Sequence, residues 1–191
     1  MFDDMARLIA ALAALLLVLT ACGSPDDKDA DHNDADEAFA SQMVPHHQQA
    51  VEMSDLVLDE SRGASAEVVD LAGRIRAAQG PEIETMRGWL KDWGVDGDDG
   101  SHGSGHGSDH GDMQGMMSAG QMADLGSATG ADLDRLWLTM MIEHHEGAVT
   151  MSESVLDEGE DPEVRDLAEA IIAAQQDEIR TMQDLLDSDT P

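Results

Sequence analysis

One uncommon pattern occurs twice in this chain. Residues 43–54 read MVPHHQQAVEMS and residues 141–152 read MIEHHEGAVTMS. Each copy has two adjacent histidines, a methionine three residues before the first and another seven after it. The likeness continues, with VVDLAGRIRAAQGPEIETMRGWL at 68–90 answering VRDLAEAIIAAQQDEIRTMQDLL at 164–186. The offset is 98 residues at the His pairs and 96 further on, so a two-residue length change falls near Arg62–Ser65. A duplicated unit of this size is a supersecondary block that buries its apolar face only against its copy.

The periodicity within each copy is helical. Phe39, Met43, Ala50, Val57 and Leu58 recur at three- and four-residue spacing, which predicts a first helix from about Asp34 to Glu60. A second helix runs from about Ser65 to Trp93, with Val68, Leu71, Ile75, Ile83, Met86 and Leu90 as its stripe, Pro81 as an interruption and Gly94 as its stop. The third starts near Thr129, where Thr129 and Asp132 have capping-box spacing, and carries Leu133, Leu136, Trp137, Met140, Met141, Ala148 and Val155. The fourth opens on Asp161, Pro162 and Glu163, a strong start signal. No segment alternates as a strand does. The expected fold is all-α: a ferritin-like four-helix bundle of two duplicated helical hairpins, spanning residues 34–187. The repeats cover about 34–93 and 129–187, and the intervening 94–128 contains a Gly/Ser/Asp-rich stretch to about residue 122 that should stay unpacked apart from a short turn capped by Ser118 and Gln121.

The start of the chain reads as an address. Leu8–Ala21 is an apolar run too short to span a bilayer, and Leu19-Thr20-Ala21-Cys22-Gly23 looks like a lipobox. Residues 1–21 are then a lipoprotein signal peptide, Cys22 the lipidated residue and 22–33 an acidic tether. This predicts a cell-membrane lipoprotein on the extracytoplasmic face. With 41 acidic and 10 basic residues, a net charge of −31 argues against nucleic acid as a partner and draws cations toward the surface.

Imidazole and thioether are ligands that transition metals prefer. Met43, His46, His47 and Met53 form one candidate set, and Met141, His144, His145 and Met151 form its copy. The second and fourth helices present Glu82 and Met86, and Glu178 and Met182, as further candidates. Before the second repeat lie Met116 and Met117, and His102, His106, His110 and Met113 make a weak collecting arm. A methionine stripe also fills a core, but two buried imidazole pairs without partners would cost free energy for no structural gain. A di-iron bundle would carry glutamate three residues before each key histidine. Here those positions are Met43 and Met141, and thioether beside imidazole points to copper, Cu(I) over Cu(II). Proton competition at ordinary imidazoles would weaken such binding below about pH 6.5.

The motifs MxxHHxxAVxMS, AAQxxEIxTM and GMMSxxQMxxLxxAxGxxxDRLWLxMMIxHHEGAVxM resemble the bacterial family known as domain of unknown function 305. That family includes CopM-like copper-binding proteins with a ferritin-like bundle. The resemblance spans about Asp34 to Leu186. It implies extracytoplasmic copper binding or copper tolerance, with the His pairs, Met43, Met53, Met141 and Met151 at ligand positions and Met116 and Met117 in a Met-rich stretch. The expected function is to sequester or hand over copper, with an unknown protein as a possible recipient. A ferritin-like metal-dependent oxidase using Glu82 and Glu178, or a structural acidic lipoprotein, are the alternatives.

Overall fold

The computed structural model describes residues 32–95 and 114–188. The signal segment, Cys22, the tether up to residue 31 and the arm residues His102, His106, His110 and Met113 lie outside the described residues. The described residues form α1 (Asp34–Leu58), α2 (Ala66–Trp93), α3 (Ala119–Ser127), α4 (Gly130–Glu158) and α5 (Pro162–Ser188), with a 3-10 turn at Glu60–Arg62. α1 packs on α2, α4 packs on α5, and the two hairpins meet through α1 and α4. This is the expected helical bundle of two hairpins.

The helix ends follow local chemistry. Asn33 and Asp36 make a reciprocal capping box at α1. Ser65 caps α2, and Gly94 closes it in the left-handed conformation (φ 74°). Asp161 Oδ1 accepts from the amides of Glu163 (2.7 Å) and Val164 (3.3 Å), as the sequence predicts for α5. The capping box expected at Thr129 does not form: α4 begins without a side-chain cap. The adjoining corner is held instead by Arg62, whose guanidinium donates to the carbonyls of Leu125 and Ala128 at 2.8 Å each. Pro81 does not end α2, which continues to Trp93, and α1 runs through Pro45 in the same way. Packing along both hairpins outweighs the one backbone bond each ring removes.

Two expectations for the region between the repeats need correction. The single turn at Ser118–Gln121 extends to a nine-residue helix, because Leu125 finds a fully buried site. The segment from Gln114 onward is also packed rather than loose. Met117 is buried, and Gln49 on α1 brackets its backbone, donating to its carbonyl (2.8 Å) and accepting from its amide (2.7 Å). Two well-made hydrogen bonds and one apolar side chain fix a stretch whose composition alone reads as linker.

The hairpins are pinned by an exchange of buried carboxylates. Asp36 on α1 accepts from the amides of Glu160 (3.0 Å) and Asp161 (3.1 Å) in the α4–α5 corner. Asp134 on α4, the repeat mate of Asp36, accepts from the Ser65 amide (3.0 and 3.1 Å) in the α1–α2 corner. Each hairpin therefore supplies the acceptor that closes the other's turn. We expect Asp36→Ala to cost about 3 kcal/mol and Asp134→Ala about 2 kcal/mol, since the first strands the part-buried amides of Glu160 and Asp161 and the second that of Ser65. Truncating exposed Asp70, which only pairs with Arg74 on the surface, should cost under about 0.5 kcal/mol. Urea denaturation measures all three, and equal effects would show that the crossed carboxylates do not hold the corners.

Candidate metal centre

All four paired histidines are fully buried. A helical wheel sets neighbouring residues about 100° apart, which would leave each pair flanking the apolar stripe. The structure buries both because α1 and α4 each pack against two helices. On α1, His46 turns toward α4 and His47 toward α2. His46 lies against His144 with ring centroids 3.7 Å apart and the rings tilted by 37°. His47 Nε2 lies 2.8 Å from Glu82 Oε2, and the mate, His145 Nε2, lies 2.7 Å from Glu178 Oε2. The duplicated sequence thus produces a duplicated geometry, with the His46–His144 pair between its halves.

Glu82 and Glu178 sit one turn before Met86 and Met182 on α2 and α5, so each hairpin folds its carboxylate onto its own His pair. An ionised carboxylate only accepts, so the Nε2–H of His47 and His145 donates to it. In the neutral ring this leaves the lone pair at Nδ1. His46 behaves alike, its Nε2–H donating to the Gln114 carbonyl at 3.1 Å. Nδ1 of His46, His47 and His145 and both nitrogens of His144 are buried without a protein partner. Gln79, Gln175, Ser54 and Ser152 add further unpartnered buried atoms. Each such atom costs about 1–3 kcal/mol unless something fills its valence.

Sulfur is distributed with the same symmetry. Met53, Met141 and Met182 belong to one hydrophobic cluster, joined by Met117 and Met140. Met43 and Met86 belong to the second, with half-buried Met151 packed against it. Each cluster draws two of the repeated methionines from one hairpin and one from the other. Met116 is also half-buried, and Met43, Met53, Met86, Met141 and Met182 are fully buried. Among the described residues no group of three or more His, Cys, Asp or Glu side chains is placed to hold a metal ion by itself. A site in this interior would combine ring nitrogen with thioether sulfur.

Several residues escaped the sequence reading. Gln114 and Gln49 act through single hydrogen-bonded contacts that no periodicity reveals. Asp36 and Asp134, and Ser54 and Ser152, were legible in principle, because each pair is related by the 98-residue offset of the His pairs.

The profile of the family described as Domain of unknown function (DUF305) matches residues 36–186. The chain belongs to this family. A DUF305 protein from Streptomyces coelicolor, designated as secreted, is 34% identical over 81% of this chain and 93% of that one, with a TM-score of 0.70. CopM in its Cu(II)-bound form is 31% identical, covering 80% of this chain and 96% of CopM, with a TM-score of 0.65. CopM has also been solved in Cu(I)-bound and silver-bound forms. A shorter match joins this DUF305 chain to the uncharacterized protein L153 of Acanthamoeba polyphaga mimivirus, 43% identical over 54 residues. That match takes in 28% of this chain and about a third (36%) of the viral protein.

Burial controls the protonation of the two facing rings. Desolvation, then the neighbouring His47, pushes His46 down to about 3. His144 is lowered well below its ordinary value, again by burial first and then by the facing His46. Proton competition at these two rings therefore sets in below the pH 6.5 expected from ordinary imidazoles. The unfolded chain takes up protons there below about pH 6.5 while the folded chain does not, so stability is present above that pH and falls toward pH 3. At pH 5 His46 alone should remove about 2 kcal/mol from the metal-free protein. Urea midpoints at pH 7 and 5, compared with those of His46→Gln, test this. A drop of equal size in the variant would assign it to other groups.

Proposed function

We propose that this DUF305 chain binds copper in the interior of its bundle and holds or hands it on outside the cytoplasm. The observation that carries the reading is the buried set of four imidazoles with five unpartnered ring nitrogens, lying between two thioether clusters. His46, His47, His144 and His145 would supply nitrogen. Met43, Met53, Met141 and Met151 would supply sulfur, with Met86, Met182 and Met117 beside them. Imidazole with thioether suits a soft ion, which favours Cu(I) over Cu(II). The Cu(II)-, Cu(I)- and silver-bound forms of CopM support copper as the ion, without favouring one oxidation state.

Glu82 and Glu178 have a different role in this reading from that of direct ligands. Each accepts the Nε2–H of one histidine, which orients the ring and makes its other nitrogen a better donor. The lipobox at Cys22 would tether the bundle to the extracytoplasmic face of the membrane, and the arm with His102, His106, His110 and Met113 would gather ions near it.

Anaerobic titration with Cu(I) against a competing chelator tests the proposal. Tight stoichiometric binding is expected, and the His46→Ala/His47→Ala and His144→Ala/His145→Ala pairs should each weaken it at least tenfold. Wild-type affinity in both, with helicity retained, would sink the assignment. Removing residues 99–112, which spares Gln114, should leave the melting temperature within about 2 °C, because a Gly/Ser/Asp segment buries little apolar area. The same deletion should lower total copper bound and slow its uptake in stopped flow. Unchanged stoichiometry and rate would reduce the arm to a spacer.

A further inference from the structure

The two half-sites are built from the same pattern, yet one of them receives a contact that the other lacks. His46 donates from Nε2 to the Gln114 carbonyl at 3.1 Å, whereas its repeat mate His144 has no protein partner on either nitrogen. The carbonyl comes from the short strap Gln114–Met117, which belongs to neither repeat. Two features fix that strap, and they occupy the same place in the two repeats, 98 residues apart. On α1, Gln49 brackets the Met117 backbone with bonds of 2.8 and 2.7 Å. On α4 the corresponding residue is Gly147, and a Cβ there would run into the Gln114 carbonyl oxygen and lie 2.6 Å from its carbonyl carbon. Gly115 makes the reciprocal approach at φ 76°, where a Cβ would come within 2.7 Å of the Glu143 carbonyl oxygen. One copy of the repeat has gained a bonding side chain and the other has cleared a space, and the strap lies between them.

We propose that the strap is a positioning element for one metal-binding histidine: the Gln114 carbonyl presets His46 as the Nε2–H tautomer and leaves Nδ1 as its donor nitrogen. It does for His46 what Glu82 does for His47 and Glu178 for His145. A carbonyl can only accept, so it admits one neutral tautomer. His144 receives no such carbonyl from the strap, and its one backbone approach, to His46, falls short of a well-made hydrogen bond. The duplicated halves are therefore unequal as ligands: three rings have a well-made acceptor and the fourth does not. Gln49, Gly115 and Gly147 act through Gln114 and would not themselves touch metal. The inference rests on the copper reading for its purpose, but the tautomer it assigns belongs to the metal-free protein.

Nitrogen-15 NMR of the imidazoles in the metal-free full chain reads the tautomers directly. In wild type, His46 should show a pyridine-like Nδ1 and a protonated Nε2. Gly147→Ala should expel the strap. Gln49→Ala, which leaves the backbone space untouched, should loosen it even if Gly147→Ala folds poorly. In either variant the Met117 amide should lose protection from hydrogen exchange and His46 should become a tautomer mixture, with His47 and His145 unchanged. Cu(I) affinity should fall tenfold or more, the usual effect of losing such an orienting contact. A protonated Nδ1 on wild-type His46 would overturn the proposal. So would a His46 that keeps its tautomer once the Met117 amide exchanges freely, or a Met117 amide that stays protected in both variants. Failure of the wild type to bind copper would defeat the functional reading instead, and would leave the tautomer result standing.

Discussion

Everything in this bundle depends on putting imidazole where α1 meets α4. A contact between two central helices is usually the driest and most apolar part of a bundle. Here its middle is a pair of facing rings, His46 against His144, with His47 and His145 fully buried alongside. Desolvation keeps the two facing rings from taking up a proton, so their nitrogens keep lone pairs free of protons in a buried setting. Apolar residues on either side hold the helices together and carry most of the methionine sulfur. The polar layer is thus held in place by neighbours that share its affinity for soft ions.

The two outer helices complete this layer from behind. Glu82 and Glu178 lie at the rim of the core, each bonded to one histidine. A partly exposed carboxylate costs little to desolvate and still sets the direction of a ring that is fully buried. Gln79 and Gln175 lie one turn earlier and are also buried, which extends the polar stripe along α2 and α5. The arrangement separates the group that orients from the group that would bind, and it does so identically in both hairpins.

Much of this was legible in the sequence because duplication tests every reading twice. The four helices, the matching of the two His pairs, and the approach of Glu82 and Glu178 to the core follow from periodicity and from the two offsets. What the sequence hid was set by the number of neighbours and by single contacts. A helical wheel treats α1 as having one buried face, whereas α1 is covered from two sides, so His46 and His47 point at different helices and both disappear from solvent. The residues from Gln114 to Met117 read as linker because their order depends on Gln49, far away in the chain. At Thr129 the local signal was present but the cap does not form, and the corner before α4 is held by Arg62 donating to the carbonyls of Leu125 and Ala128.

The crossed carboxylates have a consequence for how the molecule opens. Asp36 closes the corner of the second hairpin, and Asp134 closes the corner of the first. Neither hairpin can fray at its turn without disturbing a helix of the other, so the seam that encloses the rings opens as one cooperative event. A chain with only one repeat would carry both an acceptor and a corner in need of one, yet could satisfy them only by pairing with a second copy. Having both hairpins in one chain keeps each acceptor permanently beside the corner that it closes.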